Sequence, residues 1–198
     1  MEKEMQKYRA LNQLAEQHGN VIFGGSGDKQ IPLGELQQAF SLDAQFYNRS
    51  FADLSINDAV QAYDACVSKL HPENLFLHIG EADLDGFKKD PAEFDCKYRD
   101  LITHIRSLDK KCNIVIVSLK NYEKNPLIEE MNKHLKYIAD SERCEYGDIA
   151  AKRVWNPKET KDVMSFLYYT GFVHPLKGKR PVWDLIKILF CYEPACIV

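Results

Sequence analysis

Five short apolar runs, near residues 20–25, 45–49, 75–80, 112–119 and 144–150, alternate with stretches whose apolar side chains recur at helical spacing. This alternation constrains the fold more than any other feature. Strands separated by helices cannot close as hairpins; crossovers join them and lay them parallel. The runs Leu75-Phe76-Leu77-His78-Ile79-Gly80 and Cys112 to Leu119 are apolar on both alternating faces. Such strands are covered on both sides, so the chain is expected to be α/β, with a mostly parallel sheet and helices on both faces.

The intervening stretches carry helix signals. Met5, Tyr8, Leu11, Leu14 and Ala15 predict a helix over 2–18, with Gly19 as its C-cap. A short helix is expected after Pro32, running to about Phe40. Ser55 and Asp58 have the spacing of a capping box, with Asp58 shorter than the usual Glu; Ile56, Val60, Tyr63, Val67 and Leu70 then share one face. Asp90-Pro91 and Asn125-Pro126 open two further helices, and Val182 to Phe190 form the last. A loop over Asn156–Lys161 and a helical turn around Val163–Tyr169 are expected between them. No repeat, low-complexity segment or linker divides the 198 residues, so residues 1–198 read as one domain.

Charge and composition narrow the function classes. The net charge of −3 gives no general attraction to nucleic acid or anionic lipid, and no basic stripe is interleaved with aromatics. The N-terminus is charged and lacks the apolar core of a secretory signal, so a cytoplasmic protein is expected. The longest apolar run, Val182 to Cys191, is interrupted by Asp184 and Lys187 and is too short to span a bilayer. The six cysteines form no C-x-x-C pair and the histidines no metal-ligand spacing, so no metal site is expected. Cys66 and Cys112 read as inert core thiols, and His78, inside an apolar strand, as a core histidine or one supporting a site from behind.

The candidate site follows the first strand. In Gly24-Gly25-Ser26-Gly27-Asp28, three glycines around one serine permit a sharp turn without a Cβ clash. At the carboxyl end of a strand, such a turn is where open α/β sheets hold ligands and catalytic groups. Glu81 and Asp83 fall at the end of the third strand and share that edge. Their plainer roles are helix capping or pairing with Lys88 and Lys89. A flavin phosphate loop is a further reading of the glycine turn, but the turn lacks a Ser/Thr-rich pattern and runs into Ile31-Pro32. No cofactor is expected.

Four blocks in chain order resemble the SGNH, or GDSL-like, hydrolases. They are Phe23-Gly24-Gly25-Ser26, Asn48-Arg49-Ser50-Phe51-Ala52-Asp53-Leu54-Ser55, His78-Ile79-Gly80-Glu81-Ala82-Asp83-Leu84 and Gly171-Phe172-Val173-His174-Pro175. The resemblance spans nearly the whole chain. It implies a three-layer flavodoxin-like fold with a five-stranded sheet, and a serine hydrolase acting on small carboxylic esters. It assigns Ser26 as nucleophile and His174 as its base. It places the oxyanion hole at Ser26–Gly27, Asp53 and Ala82, with Glu81 and Asp83 beside the pocket.

Three positions depart from the family pattern. Asp53 stands near the oxyanion glycine, Ala82 replaces the asparagine donor, and Gly171 replaces the aspartate that orients the base. Glu159 and Asp162 are the nearest upstream acids. The residues thus leave two classes open: an ester hydrolase with weakened auxiliary groups, or a non-catalytic binding or scaffold protein on the same fold. The partner of the first would be a small ester or acylated molecule. Lys177, Lys179 and Arg180 beside His174 would draw an anionic substrate or serve only as a solvated loop.

Overall fold

In the computed structural model, which describes residues 1–39, 42, 44–121, 123–150 and 182–190, five parallel strands form one sheet. They are β1 (Asn20–Gly24), β2 (Phe46–Asn48), β3 (Asn74–His78), β4 (Asn113–Val117) and β5 (Glu145–Gly147). Their spatial order is β2-β1-β3-β4-β5. The chain therefore leaves β1 in one direction to make β2 and returns to its other side to make β3. This reversal is the topological switch point of a doubly wound sheet, and it opens a crevice above the carboxyl ends of β1 and β3.

Side chains alternate strictly across the sheet. Val21, Phe23, Leu75, Leu77, Ile114 and Ile116 pack on one face. Ile22, Phe76, Val115 and Val117 pack on the other. The first face is covered by α1 (Glu2–Leu11), α3 (Ile56–Cys66), α4 (Leu84–Lys89), α5 (Pro91–Leu108) and α6 (Pro126–Ser141). The second is covered by α2 (Leu33–Ala39) and α7 (Val182–Phe190), through Leu36, Leu185, Ile186, Leu189 and Phe190. The helices on both faces give the three layers that the alternation predicts.

The two longest helices start as their sequences dictate. The Asp90 carboxylate accepts from the Glu93 N–H at 3.0 Å, with Pro91 in the first turn. The Asn125 side chain accepts from the Leu127 N–H at 2.9 Å, with Pro126 in the first turn. Phe94, Tyr98, Leu101, Ile102 and Ile105 then form the buried stripe of α5. In α6 the buried Asn132 bonds both backbone groups of Leu119, at 2.8 and 2.9 Å, and so fixes the segment leaving β4. Burial pushes the Cys66 thiol up to about 11 and the Cys112 thiol up to about 12. Both are inert, protonated core groups at neutral pH.

Two local expectations change. The first helix ends at Leu11, not near residue 18. The Asn12 amide donates to the Cys66 carbonyl at 2.8 Å, and its Oδ1 accepts from Arg49 Nε at 2.9 Å. These bonds draw the chain out of the helix, and Leu14 is left 86% exposed. The capping box before α3 is also different. Ser55 Oγ donates to the Asp58 carboxylate at 2.7 Å instead of accepting from a backbone N–H. The free N–H of Ile56 is taken by Asp83.

A polar ladder runs under the sheet. Asn20, Asn74 and Asn113 are the first residues of β1, β3 and β4 and stand in register. Asn74 Nδ2 donates to Asn20 Oδ1 at 2.8 Å, Asn113 Nδ2 donates to Asn74 Oδ1 at 2.9 Å, and Asn113 Nδ2 reaches Glu145 at 2.8 Å. Parallel strands with wholly apolar cores have few markers of register; this ladder supplies one at each step.

Candidate active site

The switch-point crevice holds a cavity of about 210 Å³ lined by Gly25, Ser26, Asp53, Leu54, His78, Gly80, Glu81 and Ala82. Residues from three separate sequence blocks meet there because β1, the segment after β2, and the segment after β3 all end on this edge. The loop after β2 runs on beside β1: the Arg49 N–H bonds the Ile22 carbonyl, and the Phe51 N–H bonds the Gly24 carbonyl. Ser50 Oγ accepts from the Gly24 N–H at 3.1 Å. This docking brings the Asp53 N–H to Ser26 Oγ, at 3.3 Å.

Asp53 has φ of 53°, in the left-handed region that favours glycine. The backbone at 53 therefore holds a conformation that glycine adopts freely and that aspartate adopts only at a cost. Gly80 has φ of 138°, and a Cβ there would stand 3.0 Å from Met131 Sδ. Glycine at 80 lets the chain turn off β3 and set Glu81 and Ala82 at the rim. A Cβ on Gly25 would stand 3.7 Å from Glu81 Oε2, which puts that carboxylate over the start of the Ser26 turn. Ala82 offers no side-chain donor to the cavity.

Asp83 and Gly27 stand elsewhere. Asp83 is buried with both carboxylate oxygens 3.0–3.1 Å from the Ile56 N–H, at the start of α3. Burial raises its pKa, partly countered by that hydrogen bond. It ties α3 to the segment after β3 and does not line the Ser26 cavity. Gly27 lines a separate small cavity of about 40 Å³ with Asp28, Lys120 and Phe190. His174 and Gly171 lie outside the described residues, as do Glu159, Asp162, Lys177, Lys179 and Arg180. The sequence expectations for residues 151–181, including the loop and the helical turn, fall there as well.

Sequence reasoning named Asp28 and His78 separately but missed that they are partners. His78 Nδ1 lies 2.9 Å from both Asp28 carboxylate oxygens. Burial pulls the His78 pKa down, but the Asp28 charge and hydrogen bond outweigh it and leave the pKa raised; Lys120 and Glu81 act weakly and in opposite senses. The available signal was Gly24: it pairs with His78 in register, and a Cβ on it would stand 1.9 Å from Asp28 Oδ2. Arg49 was also unmarked. Its guanidinium is buried between the rings of Tyr8 and Tyr47, 5.2 and 5.4 Å from their centroids, and bonds Asn12 and the Asn48 carbonyl. These contacts fasten the loop that delivers Asp53.

A wider cavity of about 470 Å³ lies between α1 and β2 and includes none of the candidate residues. Among the described residues no three His, Cys, Asp or Glu side chains converge as metal ligands, and no helix is long and apolar enough to cross a membrane.

No family model and no curated protein sequence matches the chain. Solved structures do. A Streptococcus pneumonia protein named for platelet activating factor superposes with a TM-score of 0.67 at 19% identity, over 96% of this chain and 92% of its own. The acetyl xylan esterase AlAXEase gives 0.56 at 15% identity, over 80% and 86%. The acetylxylan esterase Axe2 of Geobacillus stearothermophilus gives 0.51 at 12% identity, over 66% and 76%. With GDSL-like lipases and acylhydrolases also among the structural neighbours, the chain has the SGNH, or GDSL-like, hydrolase fold. At these identities the likeness concerns the fold.

Proposed function

We propose that this chain is a serine hydrolase of small carboxylic esters, of esterase or deacetylase type, with Ser26 as its nucleophile. One observation carries the reading: Ser26 stands in the switch-point cavity with the Asp53 N–H on its hydroxyl. The structural neighbours named as esterases support it. In the reaction Ser26 Oγ attacks the ester carbonyl carbon while a histidine takes the hydroxyl proton. The resemblance gives that role to His174. The tetrahedral oxyanion forms beside the Asp53 N–H, the alcohol leaves with the proton, and water then releases the acid by the same path.

The departures from the family pattern make this a slow enzyme. Losing one oxyanion donor, as Ala82 does, costs about 2.7–4 kcal/mol of transition-state stabilisation. Gly171 gives the base no carboxylate to fix its tautomer. A fluorophosphonate probe tests the reading. It is expected to attach to the wild-type protein and not to Ser26→Ala. A folded wild-type protein that takes no label overturns it.

The second reading is a non-catalytic binding protein, favoured by the same three positions. The cavity beside Ser26 serves either reading, and the Asp53 N–H on the Ser26 hydroxyl is what favours the catalytic one. Absence of label together with saturable binding of a small ligand at the cavity is the outcome that separates them.

A further inference from the structure

Beyond the bonds that Ser50, Phe51 and Asp53 make to it, the turn that carries Ser26 is fastened through Asp28. The Asp28 N–H donates to the Gly25 carbonyl at 3.2 Å and closes the turn around Ser26. The Asp28 carbonyl accepts from Asn48 Nδ2 at 2.6 Å, and Asn48 Oδ1 accepts from the Ser50 N–H at 3.0 Å. The same residue thus links the serine turn to the loop that carries Asp53. Its carboxylate is buried and turns inward, and among the described residues its hydrogen-bonding partner is His78 Nδ1.

His78 is built as an anchor. Its Nε2 is buried and, among the described residues, has no hydrogen-bond partner. The ring meets Phe190 of α7 edge-on, with centroids 5.4 Å apart at 80°. The ring's bond toward the serine turn is therefore the one from Nδ1 to Asp28. The arrangement requires glycine at 24, since any Cβ would occupy the space of the Asp28 carboxylate.

We propose that Asp28 and His78 are positioning residues for Ser26, forming a buried imidazole–carboxylate clamp that reaches from β3 across Gly24 to the serine turn and holds the hydroxyl against the Asp53 N–H. The clamp rests on the reading of Ser26 as nucleophile for its catalytic meaning. Its geometric meaning, a fixed turn, stands apart from that reading. A buried carboxylate without the imidazole that bonds it would have to protonate or swing out, and either change releases the turn.

Three replacements, His78→Asn, His78→Leu and His78→Gln, separate anchoring from proton transfer. Asparagine at 78 places an amide nitrogen where Nδ1 stands but provides no base. Leucine removes the donor, and glutamine places its amide where Nε2 stands, so glutamine serves the same comparison should the leucine variant not fold. Fluorophosphonate labelling rates are measured on each variant below its melting temperature. His78→Asn is expected within about threefold of wild type, and His78→Leu or His78→Gln slower by at least about tenfold, the scale expected when a reacting group shifts by a fraction of an ångström. Wild-type labelling in His78→Leu overturns the clamp. So does a His78→Asn variant as slow as the leucine one, since then the imidazole itself is needed. Amide hydrogen exchange at Ser26 and Gly27 is read in parallel. If the wild type takes no label, the nucleophile reading fails, yet faster exchange in His78→Leu than in His78→Asn still supports the clamp; equal exchange overturns it.

Discussion

At the amino ends of β1, β3 and β4, three asparagines stand side by side and satisfy one another, whereas at the carboxyl ends β1 and β3 lead into Ser26, His78 and the cavity they line. The lower edge has a polar group at each step, with a partner at 2.8–2.9 Å. On the upper edge Ser26, Asp53, His78 and Glu81 line a cavity, and among the described residues the buried His78 Nε2 has no hydrogen-bond partner. One end of the sheet therefore secures register and stability. The other holds the cavity; left-handed residues flank both edges, His18 and His71 entering β1 and β3 as Asp53 follows β2, so the cavity and not backbone strain sets the upper edge apart.

The comparison breaks most readily at the lower edge. Asn74→Ala removes the donor to Asn20 Oδ1 and the acceptor of Asn113 Nδ2 together. It is expected to destabilise by about 2–4 kcal/mol in denaturant unfolding, because buried polar groups lose their partners. Labelling at Ser26 in the folded fraction should stay as in wild type. A loss of labelling there would mean that the two edges are coupled.

At the upper edge, Ala82→Asn adds a side-chain donor at the rim of the Ser26 cavity. It is expected to speed fluorophosphonate labelling and ester hydrolysis roughly tenfold, about 1.4 kcal/mol of barrier, with thermal stability almost unchanged. An unchanged rate would show that the rim at residue 82 does not face the developing charge.

The smallest effect is expected at Asp53. Glycine there removes the left-handed strain but adds chain entropy to the unfolded state, so Asp53→Gly should stabilise by only about 0.5 kcal/mol. A thermal midpoint that falls instead would mean the Asp53 carboxylate helps hold the loop.

Most of the fold was legible because its signals are local. The alternating apolar runs, Asp90-Pro91 and Asn125-Pro126 each act within a few residues of the element they start. The first helix was misjudged for the converse reason. Leu14 and Ala15 continue the helical period, but Asn12 is claimed by Cys66 and Arg49, more than 30 residues away in sequence. The same division runs through the site. Ser26, Asp53, Glu81 and Ala82 stand in short blocks whose order marks the strand ends, and the structure gathers them around one cavity. Asp83 stands in the same block but faces the start of α3, and a block gives no direction for a side chain. Asp28 and His78 are 50 positions apart, and neither residue type announces the other. Only the missing side chain at Gly24 hinted at a group needing its space.

The sheet's outermost strands, β2 and β5, span three residues each among the described residues. An exposed strand edge is a template on which another chain can add itself, and the hazard grows with the length of unpaired backbone. Three residues offer too few hydrogen bonds to seed such growth. The central strands β1, β3 and β4, whose apolar sequences would make the most adhesive edges, are each flanked on both sides within the sheet. Among the described residues, the strand order thus leaves the two shortest strands at the margins, the arrangement that least favours growth of the sheet from one molecule to the next.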